Sequence, residues 1–318
     1  MNKAAGSDIP PQLLKLGGRT LKQKLYKLIL MVWNNEQVAQ QLNEGIICPV
    51  YRKGDKLNCN NYRSITLLNI AYKIFATLLN KRLMKNIKNK VEDNQIGSRP
   101  NRSTIDNIFV VRQIFEKSYE HDSDLYIVFV DYTHAFDSVD RNKIIQCLIK
   151  FEVPDKLIRL KVLTLTHTRA SVKIKRDSTE EFIVKCGVKQ GDPLSATLFS
   201  VVTDTILKQM ELRGNITTRL KQCTAYTDDI LLTARTEQSL LDTFQKLKET
   251  SAQYGLTVIG QKTKYFRCMR KNNKLEKLQI NLIYPEQVQS YKYLGSTANS
   301  DNSIVEEIQH RITLGNKA

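Results

Sequence analysis

The pattern of hydrophobic and polar positions along the chain predicts a mixed α+β protein. Apolar residues recur at helical spacing, or near it, in seven long segments, and a continuous apolar run of strand-forming residues spans 125–132. The predicted helices cover 21–42, 73–90, 104–121, 141–151, 154–167, 193–212 and 237–254, with shorter helices near 6–18 and 301–313. The predicted strands cover 45–53 and 256–259, with hairpins at 170–187 and around 225–234, and short strands continue to about 295.

Three carboxylates interrupt the strand-like apolar segments. Asp131 stands at the end of "LYIVFVDY" (125–132), and Asp228 and Asp229 are adjacent within "AYTDDILLTA" (225–234). A buried carboxylate is costly without a positive partner, and adjacent acids repel each other. Two divalent cations roughly 3.5–4 Å apart, bound by strand-end carboxylates, are one such partner and can promote phosphoryl transfer. An isolated pair of acids is more often a solvated turn, so both interpretations stay open at this point.

Composition points to a polyanionic partner. The chain has 318 residues, and 49 Lys and Arg against 32 Asp and Glu give a net charge of +17. Such a surplus is typical of proteins that bind nucleic acid, although a basic protein without such a partner has the same composition. The six scattered cysteines predict neither a zinc site nor a disulfide framework. The apolar run at 28–33 is too short to cross a bilayer, so we expect a soluble intracellular protein.

Several motifs occur in an order that resembles a known family. "FVDYTHAFDSVDR" (129–141), "GVKQGDPLSATLFSVVTD" (187–204), "AYTDDILLTA" and "GLTVIGQKTKY" (255–265) are similar to the successive motifs of reverse transcriptases from non-LTR (LINE-like) retrotransposons. The segments 49–83 and 94–109 resemble the fingers motifs of that family. The resemblance implies a right-hand polymerase fold of the α+β class, with an antiparallel palm sheet packed on helices and a thumb that is largely missing. The implied parts are an N-terminal helical extension (1–35), fingers (36–125), palm (126–300) and a truncated start of the thumb (301–318).

The resemblance assigns the acids to catalysis. Asp131 and Asp228 are implied as the principal ligands of two Mg²⁺ or Mn²⁺ ions, with Asp229 beside them at the hairpin turn. Lys262, in "QKTKY", matches a lysine that would protonate or neutralise the leaving pyrophosphate. An ordinary surface lysine is an equally good interpretation of Lys262.

Other matching positions are implied as substrate contacts. Phe136 matches a steric gate that excludes a ribose 2′-hydroxyl, although a core phenylalanine is the alternative. Gly191 would let the backbone approach the nucleotide closely. The remaining implied contacts are Gln190 beside the incoming nucleotide, Arg63 and Arg99 on phosphates, and Tyr226 in the carboxylate hairpin, with Lys53 and Arg102 as weaker candidates. For any single basic residue a solvated surface role is about as well supported.

The chain also departs from the family pattern. Thr227 stands where the family usually has alanine, and Ile259 stands where it commonly has asparagine. The implied function is RNA-directed DNA synthesis on a DNA primer with deoxynucleoside triphosphates, and the nucleus is suspected from the resemblance alone. The alternatives are a catalytically inactive fragment that binds RNA or hybrid duplex, and, more distantly, an RNA-directed RNA polymerase.

Overall fold

The structure is a computed structural model that describes residues 11–316 except for 98, 100, 167, 211, 213–221, 261–262 and 269–285. The chain forms two compact units, each built from two segments. Unit 1 comprises residues 1–90 and 136–201, and unit 2 comprises residues 91–135 and 202–318. The units are defined by packing alone, so the boundaries given above for fingers, palm and thumb stay predictions.

The described helices and strands follow in chain order. The helices are α1 Pro11–Leu16, α2 Gly18–Asn35, α3 Gln40–Asn43, α4 Ile70–Ile87, α5 Thr104–Glu120, α6 Ala135–Ser138, α7 Arg141–Lys150, α8 Asp155–Leu165, α9 Ser195–Gln209, α10 Glu237–Ala252 and α11 Val305–Gly315, with a 3₁₀ turn at Cys59–Asn61. The strands are β1 Glu44–Tyr51, β2 Tyr62–Leu68, β3 Leu125–Val130, β4 Arg169–Ile174, β5 Asp177–Ser178, β6 Phe182–Ile183, β7 Cys223–Tyr226, β8 Asp229–Ala234, β9 Lys264–Cys268, β10 Glu286–Gln287, β11 Ser290–Tyr293 and β12 Ser296–Asn299.

Unit 1 contains a five-stranded mixed sheet in which β2, β1, β4 and β5 follow one another and β6 also pairs with β4. Strand β1 is antiparallel to β2 and parallel to β4. The sequence predicted no strand over the segment that forms β2. Helix α2 ends at Asn35, earlier than the predicted 42, because Glu36 takes a left-handed φ of 51° and caps it.

Unit 2 contains a second five-stranded sheet in the order β10, β9, β3, β8, β7, together with the separate hairpin β11–β12. The central strand β3 is antiparallel to both β8 and β9, and all six of its residues are buried. Its side chains Leu125, Ile127 and Phe129 pack with residues of helix α5, which covers that face of the sheet. Tyr291 of the β11–β12 hairpin stacks on Phe129, with ring centroids 4.2 Å apart. The apolar strand β3 therefore contacts the neighbouring strands, helix α5 and the β11–β12 hairpin of this unit.

Most of the remaining elements lie close to their predicted ranges. Ser103 is the N-cap of α5, with a capping box completed by Asp106. The predicted strand at 256–259 is reduced to a single antiparallel bridge between Tyr132 and Val258. The α+β class predicted from the sequence is confirmed by these two mixed helix-and-strand units. Within the described residues, no helix is both long and apolar enough to cross a bilayer.

Unit 1 places a buried lysine, Lys161, and a half-buried one, Lys189, near one aspartate. Lys161 Nζ donates to the Thr164 hydroxyl at 3.1 Å, and Lys189 Nζ donates to the Asn43 carbonyl at 2.8 Å. Burial lowers the pKa of both lysines to about 8, and the attraction of Asp192 opposes this effect. Asp192 is itself held by the Tyr72 hydroxyl at 2.5 Å.

Replacing Lys161 should change how stability depends on pH. The unfolded lysine has its ordinary pKa of 10.5, and the folded one has a pKa of about 8. Below pH 8 the Lys161 amine is protonated in both the folded and the unfolded state, and the folded state carries the full cost of desolvating the charge. Between pH 8 and 10.5 the amine stays protonated only in the unfolded state, so the wild type gains stability as the pH rises. Lys161→Met removes this gain, which amounts to about 3 kcal/mol at most.

The measurement is chemical denaturation at several pH values. The free energy of unfolding of Lys161→Met, relative to wild type, should fall as the pH rises from 8 to 10. The exposed Lys150→Met, at the end of α7, serves as the control and should show a flat difference. A flat difference for Lys161→Met as well would contradict the burial of its charge.

Candidate active site

The sheet of unit 2 brings the three predicted carboxylates to one edge. Strand β3 pairs with β8 so that Val130 lies opposite Ile230. Asp131 follows Val130 and Asp229 precedes Ile230, so the two acids come next at the same end of the strand pair. Strands β7 and β8 form a hairpin in which Tyr226 pairs with Asp229, leaving Thr227 and Asp228 as the two turn residues. The acids are therefore not buried within a strand. Asp131 and Asp228 are half-buried, and Asp229 is exposed.

Tyr291 reports on the electrostatics of this edge. Burial and the negative charges of Asp131 and Asp229 together raise the pKa of Tyr291 to about 12. The Tyr291 phenol therefore lies within electrostatic reach of two of the carboxylates. Their oxygen atoms are the type of ligand that magnesium prefers. No preformed group of three or more His, Cys, Asp or Glu side chains arranged for a metal ion occurs in the described part of the chain.

Main-chain hydrogen bonds fix the segment that carries Asp131. The carbonyl of Asp131 accepts from the amide of Ile259 at 2.9 Å, and the amide of Thr133 donates to the carbonyl of Thr257 at 2.8 Å. These bonds use backbone groups only. The isoleucine at 259, in place of the family's usual asparagine, therefore leaves this support for Asp131 in place.

The loop at the start of the segment 94–109 braces the carboxylate hairpin, a contact that the sequence did not predict. The amide of Ala225 donates to the Asn94 carbonyl at 2.8 Å, and the amide of Ile96 donates to the Ala225 carbonyl at 2.9 Å. Gly97 follows, and a Cβ at this position would lie 2.4 Å from the Thr227 nitrogen. The signal available in the sequence was a glycine within "NQIGSRP", which carries no information about the partner of that glycine.

Phe136 lies in unit 1 and is only half-buried. Its ring stacks on the fully buried Phe199, with centroids 4.8 Å apart and planes 19° from parallel. Its carbonyl accepts from the amide of Val188 at 2.7 Å. Phe136 is therefore a half-buried residue whose ring stacks on a buried one, and its role as a steric gate stays a prediction.

Gln190 and Gly191 lie in unit 1 on a loop attached to β2. Gln190 forms a parallel bridge with Ile65, and its carbonyl accepts from the amide of Thr66 at 2.7 Å. Gly191 has a φ of 111°, and a Cβ there would lie 2.7 Å from the Thr66 carbonyl oxygen. Asp192 then accepts from the amide of Leu194 at 2.9 Å. Only glycine fits at position 191, for a backbone reason that is independent of any family.

The basic candidates fall into different surroundings. Arg63 is exposed on β2 in unit 1. Arg99, in unit 2, donates to the Glu92 carbonyl at 3.0 Å and to the Asp93 carboxylate at 3.1 Å, so it orders its own loop. Arg102 lies 3.7 Å from the same carboxylate. Phosphate contact by these residues stays a prediction. Lys262 lies outside the described residues.

Retrotransposon proteins are similar to this chain over much of its length. It is 28% identical over 210 residues to a Pol polyprotein of the type-2 retrotransposable element R2DM of Drosophila melanogaster, covering 65% of this chain and 19% of that protein. It is 24% identical over 254 residues to an uncharacterized 149 kDa protein of transposon TX1 of Xenopus laevis, covering 76% and 19%. An R2 polyprotein of Popillia japonica is 23% identical, covering 77% and 36%. The chain thus spans about a fifth to a third of these relatives.

Solved structures of telomerase share the fold. The apo telomerase of Candida tropicalis matches with a TM-score of 0.59 and 13% identity, covering 89% of this chain and 52% of that one. A form truncated from its C-terminal domain matches with a TM-score of 0.58 and 15% identity, covering 87% and 59%. These matches agree with the polymerase fold expected from the sequence.

The profile of one family matches most of the chain. It is described as reverse transcriptase (RNA-dependent DNA polymerase) and aligns with residues 51–298. This range contains all three carboxylates, the Gln190–Gly191 loop and the β11–β12 hairpin except for its last residue, Asn299. The protein belongs to the reverse transcriptase family.

Proposed function

We propose that this chain is an RNA-directed DNA polymerase, which extends a primer 3′-end with deoxynucleotides on an RNA template and releases pyrophosphate. The observation that carries the proposal is the placement of Asp131 and the Asp228–Asp229 hairpin at one sheet edge, in a chain that belongs to the reverse transcriptase family. The net charge of +17 agrees with a polyanionic template and primer.

The three carboxylates are the residues that would hold divalent ions. Two bound Mg²⁺ or Mn²⁺ ions would supply activation of the primer hydroxyl and stabilisation of the pyrophosphate. The protein itself would contribute by holding the three carboxylates in position. The β3–β8 register holds Asp131 level with Asp229, and the hydroxyl of Thr227 lies 3.0 Å from a carboxylate oxygen of Asp228 and can orient it. Catalysis of this kind depends mostly on positioning and charge neutralisation.

The residues of unit 1 are proposed to contact the nucleotide. Gln190 and Gly191 would lie along the incoming nucleotide, where the absence of a side chain at Gly191 lets the backbone approach closely. Phe136, supported from behind by Phe199, would present its accessible part to the sugar. Lys262, Arg63, Arg99 and Tyr226 keep the roles that the resemblance implies, as proposals.

Removing one carboxylate should abolish synthesis. Asp228→Ala takes away a proposed ligand at a half-buried turn position, so metal-dependent incorporation of dTTP on poly(rA)–oligo(dT) should drop to background. Asp242→Ala, an exposed acid on α10, is the matched control and should retain activity. Equal incorporation by Asp228→Ala and wild type would assign the activity to something else.

The same assay separates the alternatives. Salt-sensitive binding of RNA or hybrid duplex by the wild type, without any incorporation, would identify a binding fragment instead of a polymerase. Incorporation of ribonucleotides in preference to deoxynucleotides would identify an RNA polymerase.

Shortening the proposed gate should relax sugar selection. Phe136→Val removes ring area that would crowd a 2′-hydroxyl, so the ratio of dTTP to UTP incorporation should fall about tenfold or more, the effect of about 1.4 kcal/mol. Phe182→Val, on the exposed strand β6, is the control. Unchanged sugar discrimination in Phe136→Val would remove the gate assignment.

Adding a methyl group behind the hairpin should impair catalysis. In Gly97→Ala the new Cβ would meet the Thr227 nitrogen at 2.4 Å and the Tyr226 carbonyl carbon at 3.0 Å, so the turn must shift. Overpacking of this kind costs about 1–3 kcal/mol of stability. We expect a lower melting temperature and a drop in kcat. Gly315→Ala, where a Cβ meets no atom within 4 Å, is the control. Full activity of Gly97→Ala would show that the contact does not constrain the hairpin.

A further inference from the structure

A chain of buried hydrogen bonds links helix α5 to the carboxylate hairpin. The hydroxyl of Thr224, on β7, donates to Asn107 Oδ1. Asn107 Nδ2 donates to the Tyr293 hydroxyl oxygen at 3.2 Å. The Tyr293 hydroxyl in turn donates to the main-chain carbonyl of Asp229 at 3.4 Å. Each donor thus serves the next acceptor, and the chain of bonds ends at the backbone of a proposed catalytic residue.

The members of this chain are withdrawn from water. Asn107 and Thr224 are completely buried, and Tyr293 is 4% exposed. Burial raises the pKa of Tyr293 well above its ordinary value, so its hydroxyl remains a donor at any physiological pH. Buried polar groups are costly when they lose a partner, and networks of them fix one arrangement more strongly than apolar packing does. Asn107 therefore fixes the positions of its partners Thr224 and Tyr293 relative to each other. An apolar side chain of similar size would fill the same space without fixing them.

Asn107 forms hydrogen bonds with two hairpins. One is β7–β8, which carries Asp228 and Asp229, and the other is β11–β12, which carries Tyr291 and Tyr293. Helix α5 holds the second hairpin at another point as well, because Arg112 donates to the carbonyl of Thr297. Tyr291 stacks on Phe129 of β3, and its pKa is raised by burial and then by the charges of Asp131 and Asp229. A shift of either hairpin would therefore change the surroundings of the carboxylates.

We propose that Asn107 is a positioning residue that, through Thr224 and Tyr293, locks the carboxylate hairpin and the β11–β12 hairpin into one arrangement for catalysis. The role of the arrangement in catalysis rests on the proposed polymerase function, whereas the coupling of the two hairpins does not. Asn107 is completely buried, so it acts through its hydrogen-bond partners.

Three variants test the network. Tyr293→Phe removes one hydroxyl and keeps the ring packed on Phe129. Asn107→Leu removes both amide groups at similar volume, and Asn107→Asp keeps an acceptor for Thr224 but loses the donor to Tyr293. Ser118→Ala is the matched control, because it deletes a buried hydrogen bond to the Ser123 carbonyl at the other end of the same helix.

The first readout is independent of activity. Hydrogen–deuterium exchange should become faster in both 223–230 and 290–299 for Tyr293→Phe and for Asn107→Leu, and the double variant should be no faster than Asn107→Leu alone. Ser118→Ala should leave both segments unchanged. Acceleration confined to one hairpin, or additive effects in the double variant, would overturn the coupling.

The second readout divides kcat from KM in primer extension. Weakening the network that ends at the Asp229 carbonyl should lower kcat about tenfold in Tyr293→Phe and Asn107→Leu, the equivalent of about one net hydrogen bond. Asn107→Asp should resemble them. The KM for dTTP should stay within about twofold of wild type, because none of the varied residues is itself a proposed nucleotide contact. Wild-type kcat in folded Tyr293→Phe, or an equal loss in Ser118→Ala, would overturn the positioning role.

The two hypotheses fail in different ways. An inactive wild type with coupled exchange of the hairpins would contradict the polymerase function and leave the network established. An active wild type whose hairpins exchange independently would support the polymerase function and contradict the network.

Discussion

The antiparallel pairing of β3 with β8 is the constraint on which the rest of unit 2 depends. Tyr126–Val130 lie opposite Ala234–Ile230 without interruption, and β3 is buried on both faces. A slip of one residue would exchange the faces of every side chain, placing Phe129 where Val128 now packs. The cluster of Phe129 with Phe266, Tyr291 and Tyr293 opposes such a slip. The alignment of Asp131 with Asp229 thus follows from the strand register, which the apolar packing of Phe129 fixes.

The sequence predicted the features that are encoded locally. Strand β3, the capped helix α5 and the carboxylate hairpin were found because their patterns of apolar residues, caps and turn positions lie within a few residues of each other. The motif order then identified Asp131, Asp228 and Asp229 together, and the observed sheet brings them to one edge. The hairpin keeps both adjacent acids partly in water, with Asp228 half-buried in the two-residue turn and Asp229 exposed at the start of β8.

The sequence could not predict features that depend on distant contacts. Gly97 is significant because of Thr227, and Asn107 because of Thr224 and Tyr293, and each of these pairs is separated by more than a hundred positions. Strand β2 was missed because its alternation is weak and its pairing with β1 decides its conformation. In each case the local pattern is compatible with several structures, and only tertiary packing selects one.

The turn residue Thr227 shows how local strain and function are combined. Its φ of 56° lies in the left-handed region, which is unfavourable for a β-branched residue. A two-residue hairpin loop nevertheless needs positive φ at one or both of its central positions. The Thr227 hydroxyl lies 2.6 Å from the Tyr226 carbonyl oxygen and 3.0 Å from the Asp228 carboxylate, so its proton has an acceptor in either direction. Alanine, the family's usual residue here, would also carry the strain but could not orient Asp228. The Thr227 hydroxyl therefore restricts the orientation of the Asp228 carboxylate within a strained turn. This carboxylate is the one on which the proposed chemistry depends.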